Sequence, residues 1–355
     1  MTTQAVFPVE LKWESEQTGR IPFMAYTDEA LHKKELQRFF YEKHWCYVGL
    51  EAEIPTPGDF KRTAIGERSV IMSRDEAGEI HVFENVCAHR GMQFCRERHG
   101  NKKEFVCPYH QWNYTLKGDL QGVPFRRGVK QDGKVNGGMP SDFKTEENGL
   151  TKLKVASRGG VVFASFDHEI ESFEDFLGPD ILHYFDRLFD GRKLKILGYN
   201  RQRIPGNWKL MQENIKDPRF LDIVPEPWWG GPTAVMMTLF PSLILQQQVN
   251  SVSTRHIQPV GHDAFDFVWT HFGFEDDTEE MTQRRLRQAN LFGPAGFVSA
   301  DDGEVIEFSQ EGFEQKPYHR TLAELGGKEV ANTDHMVTET LIRGMYRYWR
   351  EVMEA

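Results

Sequence analysis

Two cysteines and two histidines alternate within one short stretch of this chain: Cys87-Ala88-His89, seventeen residues, then Cys107-Pro108-Tyr109-His110. Each half offers one thiolate and one imidazole. A zinc finger more often offers a cysteine pair followed by a histidine pair. Alternation suits a group whose two metals need different ligands, as in a [2Fe–2S] centre where two histidines replace two cysteines on one iron. The assignment is then Cys87 and Cys107 on one iron, with His89 and His110 on the other. The constraint on folding is severe, because two loops must be held side by side. A structural zinc site, or four unrelated core residues, is the alternative.

The chain has 355 residues, enough for a large core and about two domains. Its net charge of −10 argues against a nucleic-acid binder, which needs a basic face. With mean hydropathy at −0.56, no apolar run approaches the roughly 18 residues that span a bilayer. Met1 to Glu16 is polar and acidic, unlike a signal peptide, so a cytoplasmic location is expected. Cys46 and Cys95 read as ordinary thiols rather than as a disulfide.

Along the chain, Thr27-Asp28-Glu29-Ala30 reads as a helix start with acidic residues in its first turn. From Trp45 to about Phe166 come short strand-like runs (Ser69–Met72, Ile80–Phe83, Gly160–Phe166) punctuated by Gly and Pro. This is expected to be a small β domain with the cysteine-histidine loops at its tip. Beyond it, Asn207 can cap a helix in which Trp208, Met211 and Ile215 share a face. Strands are expected at Ala234–Leu239, Leu243–Val252 and Phe265–Phe274. A closing helix carries Leu341, Met345, Trp349 and Met353 at i, i+4 spacing, a stripe expected to be core.

The flanks His89-Arg90-Gly91-Met92 and Pro108-Tyr109-His110-Gln111-Trp112 resemble the ligand loops of Rieske proteins. Gln111 stands where those loops usually carry glycine, a departure expected to alter loop packing more than ligation. A Rieske domain followed by a mixed domain resembles the large subunit of the Rieske non-haem iron aromatic-ring oxygenases. That resemblance implies an α+β fold: an all-β Rieske [2Fe–2S] domain inserted near the N-terminus of a helix-grip catalytic domain, an antiparallel sheet with helices. The domains are expected at 1–40 (the helical start of the catalytic domain), 41–166 (Rieske) and 167–355 (catalytic).

The same resemblance implies a mononuclear iron held by two histidines and a carboxylate, with positions open for O₂. Asn207-Trp208-Lys209, then Glu213-Asn214 and Asp217-Pro218, match the family's motif. The match stops there: Arg219-Phe220 stands in place of Tyr-His, and Pro225 in place of the second histidine. Phe292-Gly293-Pro294 through Ala300-Asp301-Asp302 resembles the segment that ends in the iron-binding aspartate. Asp302 is therefore the expected ligand, and Asp301 the alternative. The histidines could be lost in a non-catalytic homologue or replaced by distant ones such as His256 or His271. Absence of a segment between Pro218 and Arg219 from this sequence accounts best for an abrupt break with family-like flanks. Asp217 matches the carboxylate that bridges cluster and iron between neighbouring subunits, a role in which it fixes a histidine on each side.

Within the family, Leu245-Gln246-Gln247-Gln248-Val249-Asn250 and the runs around Asp217 and Asp222 resemble the salicylate 5-hydroxylase group. The implied activity is monooxygenation of an aromatic acid, salicylate to gentisate, through a Rieske cluster and a mononuclear Fe(II). Gln246 and Gln248 share a strand face, and Ser299 precedes Asp302 by one helical turn; Gln248 and Ser299 are candidate substrate contacts. With no G-x-G-x-x-G fingerprint in the chain, electrons are expected from a ferredoxin and an NAD(P)H-dependent flavin reductase. Arg90, Arg96, Arg98, Lys102 and Lys103 could steer that ferredoxin. The family implies a ring of three large subunits, with small β subunits in an α3β3 assembly. Rival readings are a dioxygenase of another aromatic acid, a Rieske electron carrier with an inactive second domain, and a zinc module.

Overall fold

The computed structural model describes residues 17–189, 191–214, 234–333, 335 and 337–354, with Leu11 and Trp13; Asp217 lies outside the described residues. The chain divides into two compact units, Lys43–Lys193 and Met1–Glu42 with Leu194–Ala355.

The first unit is built from short antiparallel strands. Ile80–Glu84, Arg68–Arg74, Asp59–Ile65 and His99–Asn101 form one sheet in that order, and Phe105–Val106, Asn113–Tyr114 and Leu120–Gly122 form another. Between them lies a core of Phe60, Ile71, Phe83, Phe94, Phe105, Trp112 and Tyr114, into which Cys87 and Cys107 are also buried. A third sheet pairs Cys46–Leu50 and Lys154–Arg158 with the buried strand Val161–Ser165. The unit runs past residue 166 because the next helix packs back on that strand. Phe173 stacks on Phe163 at 4.3 Å between centroids, and Arg158 donates to both Asp186 oxygens at 2.7 Å.

The second unit is a five-stranded antiparallel sheet. Its strands are β1 (Leu194–Pro205), β2 (Ala234–Leu239), β3 (Leu243–Gln248), β4 (Ser251–Pro259) and β5 (Ala264–Phe274), in the order β1-β5-β4-β3-β2. The helices are α1 (Trp208–Glu213), α2 (Glu279–Phe292), α3 (Phe297–Gln315) and α4 (Thr340–Glu354), with a short N-terminal helix Glu29–Glu35. The run expected as one strand, Leu243–Val252, is two strands joined at Val249-Asn250. Val249 holds a positive φ of 49°, which a β-branched residue signals poorly in sequence. Within the expected helix start, Asp28 caps the N-terminal helix, its carboxylate accepting from the Leu31 N–H at 2.7 Å. Trp349 and Met353 of the expected stripe are buried, but Leu341 is 85% exposed, and Arg343 and Tyr346 complete the buried face of α4 instead.

The second unit gathers around one buried carboxylate. Glu35 accepts from the indole N–H of Trp208 at 3.2 Å, from that of Trp349 at 2.8 Å, and from Lys209 Nζ at 2.8 Å. Lys209 also donates to Asn207 Oδ1 at 2.7 Å, and both Lys209 and Glu35 are fully buried. Burial pushes the Lys209 pKa down while Glu35 opposes that shift. Removing one partner leaves the other charge stranded in the core. Lys209→Met is expected to cost about 3–5 kcal/mol of unfolding free energy, read from denaturant melts. Glu35→Leu combined with Lys209→Met should recover part of that loss.

Candidate active site

In the first unit the two cysteine-histidine loops have the same backbone design. The Cys87 N–H donates to Met92 O at 2.8 Å and the Gly91 N–H to Cys87 O at 2.9 Å. The Cys107 N–H donates to Trp112 O at 2.8 Å and the Gln111 N–H to Cys107 O at 2.9 Å. Each turn needs a left-handed residue four places after its cysteine: Gly91 at φ 73° and Gln111 at φ 58°. Gln111 thus keeps the turn geometry of a glycine at a cost of about 1–2 kcal/mol, so the departure from the family pattern leaves the loop's hydrogen bonding matched to its twin.

These loops bring all four donors together. The two thiols lie close enough to interact, and burial raises the Cys107 pKa. The rings of His89 and His110 are 4.7 Å apart, and His89 stacks on Trp112 at 4.7 Å. Burial, then His110 and Arg90, push the His89 pKa down, which favours the neutral imidazole. Among the described residues, the buried His110 Nδ1 has no hydrogen-bond partner, an orphan that a metal would satisfy. The donor set fits a Cys₂His₂ two-iron cluster. Tyr114 accepts from the Ala88 N–H at 3.1 Å, which aims its own hydroxyl at Cys87 Sγ, 3.1 Å away. Hydrogen bonds to cluster sulfurs raise the reduction potential. Tyr114→Phe should therefore lower the midpoint potential by several tens of millivolts without loss of iron, as read by redox titration with EPR detection.

In the second unit, α1 leads directly to the other site. Its C-cap Asn214 donates from Nδ2 to Asp302 Oδ1 at 3.0 Å. Asp302 lies on α3, partly buried, while Asp301 beside it is exposed. Burial raises the Asp302 pKa, with Arg255 and Asn214 opposing. Ser299 is buried one turn earlier and donates to Gln202 Oε1 at 3.4 Å.

The strand register places Gln246, Gln248, Ser253, Arg255, Trp269, His271, Asn200 and Gln202 on one face of the sheet. Gln246 donates to Gln248 Oε1. Two strands separate Gln248 from Gln202, the partner of Ser299, so the two predicted substrate residues share a face without touching. Sequence reasoning missed Arg255 on this face, because β4 was not read as a strand. With β4 recognised, the alternation Ser251, Ser253, Arg255 would have shown a charge pointing inward. Burial pulls the Arg255 pKa down to about 9 against the field of Asp302, and burial with Arg255 pulls that of His271 down to about 4.

Glu213, adjoining Asn214, accepts from the Tyr346 hydroxyl at 2.8 Å and the Tyr26 hydroxyl at 3.3 Å, yet burial lifts its pKa to about 7. Raised above the usual 4.5, this carboxyl stabilises the fold fully only below the unfolded value. That contribution is lost as pH rises toward 7. Wild-type unfolding free energy should fall between about pH 5 and pH 7.5, by up to about 3 kcal/mol from this group. Glu213→Gln should flatten that slope in denaturant melts across pH.

A family model for the Rieske [2Fe-2S] domain matches residues 44–132, and one for the ring hydroxylating alpha subunit (catalytic domain) matches residues 222–355. The large oxygenase component of salicylate 5-hydroxylase from Ralstonia sp is 68% identical over 98% of this chain and 97% of that protein. The terminal oxygenase component subunit alpha 2 of terephthalate 1,2-dioxygenase from Comamonas sp is 33% identical over 97% of each. Among solved structures, naphthalene 1,2-dioxygenase with indole bound has a TM-score of 0.79 at 22% identity, over 96% of this chain and 93% of that one. The chain belongs to the Rieske ring-hydroxylating oxygenases, as an alpha subunit. It is an oxidoreductase of the type that combines a Rieske cluster with a mononuclear iron, as its sequence motifs led one to expect.

Of the iron site expected from the sequence, the residues present offer the candidate carboxylate Asp302, but residues 207–233 contain no histidine. The alignment with the Ralstonia protein spans 412 positions against 355 residues here, so several tens of its positions have no counterpart in this chain. The catalytic-domain match begins at residue 222, just past Pro218 and Arg219. Among the described residues, no helix is long and apolar enough to cross a membrane.

Proposed function

We propose that this chain is the oxygenase subunit of a cytoplasmic salicylate 5-hydroxylase, adding one oxygen atom of O₂ to the ring para to the phenol. In balance, salicylate, O₂, two electrons and two protons give gentisate and water. One observation carries the substrate class: the sheet face beside Asp302 is polar and cationic, with Gln246, Gln248 and Arg255 buried on it. A hydrocarbon pocket would be almost wholly apolar. The 68% identity to the Ralstonia component supports salicylate among the aromatic acids.

In this reading Cys87 and Cys107 hold one iron of the cluster and His89 and His110 the other. When bound, the cluster supplies electrons singly. Asp302 is the carboxylate ligand of the mononuclear iron, and its two histidines belong to a segment missing at the Pro218/Arg219 join. Asn214 orients Asp302, and Asp217 forms the bridge to a neighbouring subunit's cluster. Gln248 and Ser299 help shape the substrate face. A ferredoxin and a flavin reductase deliver electrons; Arg90, Arg96, Arg98 and Lys103 are exposed near the cluster loops, where they suit an acidic donor. The assembly is a trimer of alpha subunits with small β subunits.

Turnover with a ferredoxin, a reductase and NADH under ¹⁸O₂ should give gentisate carrying one labelled atom. A cis-dihydrodiol or 2,3-dihydroxybenzoate would overturn the regiochemistry. The absent histidine pair favours one rival, an electron carrier with an inactive second domain. That rival predicts two irons per chain, no product from any aromatic acid, and a native protein mass equal to that of this sequence.

A further inference from the structure

The sequence contains two Asn-Gly steps, Asn136-Gly137 and Asn148-Gly149. With no side chain of its own, glycine leaves its backbone nitrogen free to approach the amide of a preceding asparagine. Whether it does so depends on the fold. The asparagine side chain must be able to turn, and the glycine N–H must be free of a hydrogen bond.

Asn136 meets both conditions. It ends a hairpin of the first unit, in which Lys134–Asn136 pairs with Val129–Gln131. Between them Asp132 and Gly133 hold φ of 51° and 81°, as a two-residue type I′ turn requires. In such a ladder Gln131 and Lys134 exchange hydrogen bonds, and so do Val129 and Asn136, two places on. The next N–H, that of Gly137, therefore points away from the partner strand. Among the described residues nothing bonds that N–H or the exposed Asn136 side chain. Gly137 and Gly138 hold φ of 70° and 99°, and an added Cβ on Gly137 would meet no atom within 4 Å.

Asn148 is held instead. Its side chain donates to Lys144 O at 2.7 Å and its N–H to Thr145 O at 3.1 Å. Gly149 lies against Gly118 O, and the Leu150 N–H donates to that oxygen at 2.8 Å. The main chain is thus pinned on both sides of the second step.

We propose that Asn136 is a modification site, at which the native protein converts its side-chain amide to a carboxylate with water as the sole co-reactant. The Gly137 nitrogen loses its proton and bonds to Asn136 Cγ, ammonia leaves, and a cyclic imide closes. Water then breaks either carbonyl bond to that nitrogen. One product is ordinary aspartate. The other is an isoaspartyl link, in which the main chain runs through the former side chain. Nothing is oxidised or reduced. Either product sets a carboxylate among the exposed Arg126, Arg127, Lys130 and Lys134. The isoaspartyl product also lengthens the main chain just ahead of Met139. That residue's N–H donates to Arg126 O at 2.9 Å, and its side chain packs on the core that holds Cys107 and Trp112.

The test holds the wild-type chain native in warm, mildly alkaline buffer and follows both steps by peptide mass spectrometry. Asn136 should convert to a mixture of aspartate and isoaspartate. Asn148 should convert at least about tenfold more slowly, because its hydrogen bonds must open first. In guanidinium chloride the two steps should react at similar rates, which assigns the difference to the fold. Anion exchange of the aged native protein should resolve a more acidic species that isoaspartyl methyltransferase labels from S-adenosylmethionine. Asn136→Gln should not form that species, because the longer side chain does not close the same ring. Equal rates at the two steps in the native chain would overturn the proposal. So would an Asn136 amide that survives in the native protein while the denatured protein loses it.

Discussion

The second unit depends on a buried ion pair, Glu35 with Lys209, that ties three distant segments of the chain together. One carboxylate accepts from the N-terminal end of α1, from its lysine and from the tryptophan of α4. Desolvating both charges is expensive, and the return is geometry. With its first turn clamped, α1 delivers its last residues to fixed positions. Glu213 meets Tyr26 and Tyr346, and Asn214 meets Asp302. The Asp302 carboxylate on one helix is thus oriented by the cap of another, whose placement is decided at its opposite end. A small change in how Glu35 is satisfied would reach Asp302 through six residues of helix.

The first unit uses a different economy. Its two loops repeat one hydrogen-bond pattern, so the ligand geometry is set by the backbone and little depends on the intervening side chains. The repeated turn asks only for a left-handed residue at its fourth position, which is why glutamine at 111 serves where glycine stands at 91.

How much of this was legible in the sequence follows from the range of each interaction. The cluster donors were readable because both loops are local and their spacing is the signal. The flanks of Asp302 made it the expected ligand over Asp301, and α3 turns Asp302 inward while Asp301 stays exposed. The inward position of Arg255 was not readable, since it depends on register across three strands and on a turn at Val249 that its residue type disguises. Leu341 misled for a related reason: periodicity names a face, but the partner elements decide where the face ends. The extent of the first unit, past residue 166 to Lys193, was hidden in the same way, because Phe163 meets Phe173 only once the chain has turned back.

The charges on the site face carry the argument one step further. Among the described residues one carboxylate, Asp302, acts on the buried cation Arg255, and Asn214 already donates to it. A neutral arene entering this site would displace water from Arg255 and give it nothing in exchange, a cost larger than the burial of the ring's edge returns. Two proteins with one fold can therefore differ in the ligands they admit through one strand position and the ring beneath it, with the helices and the buried carboxylates left as they are.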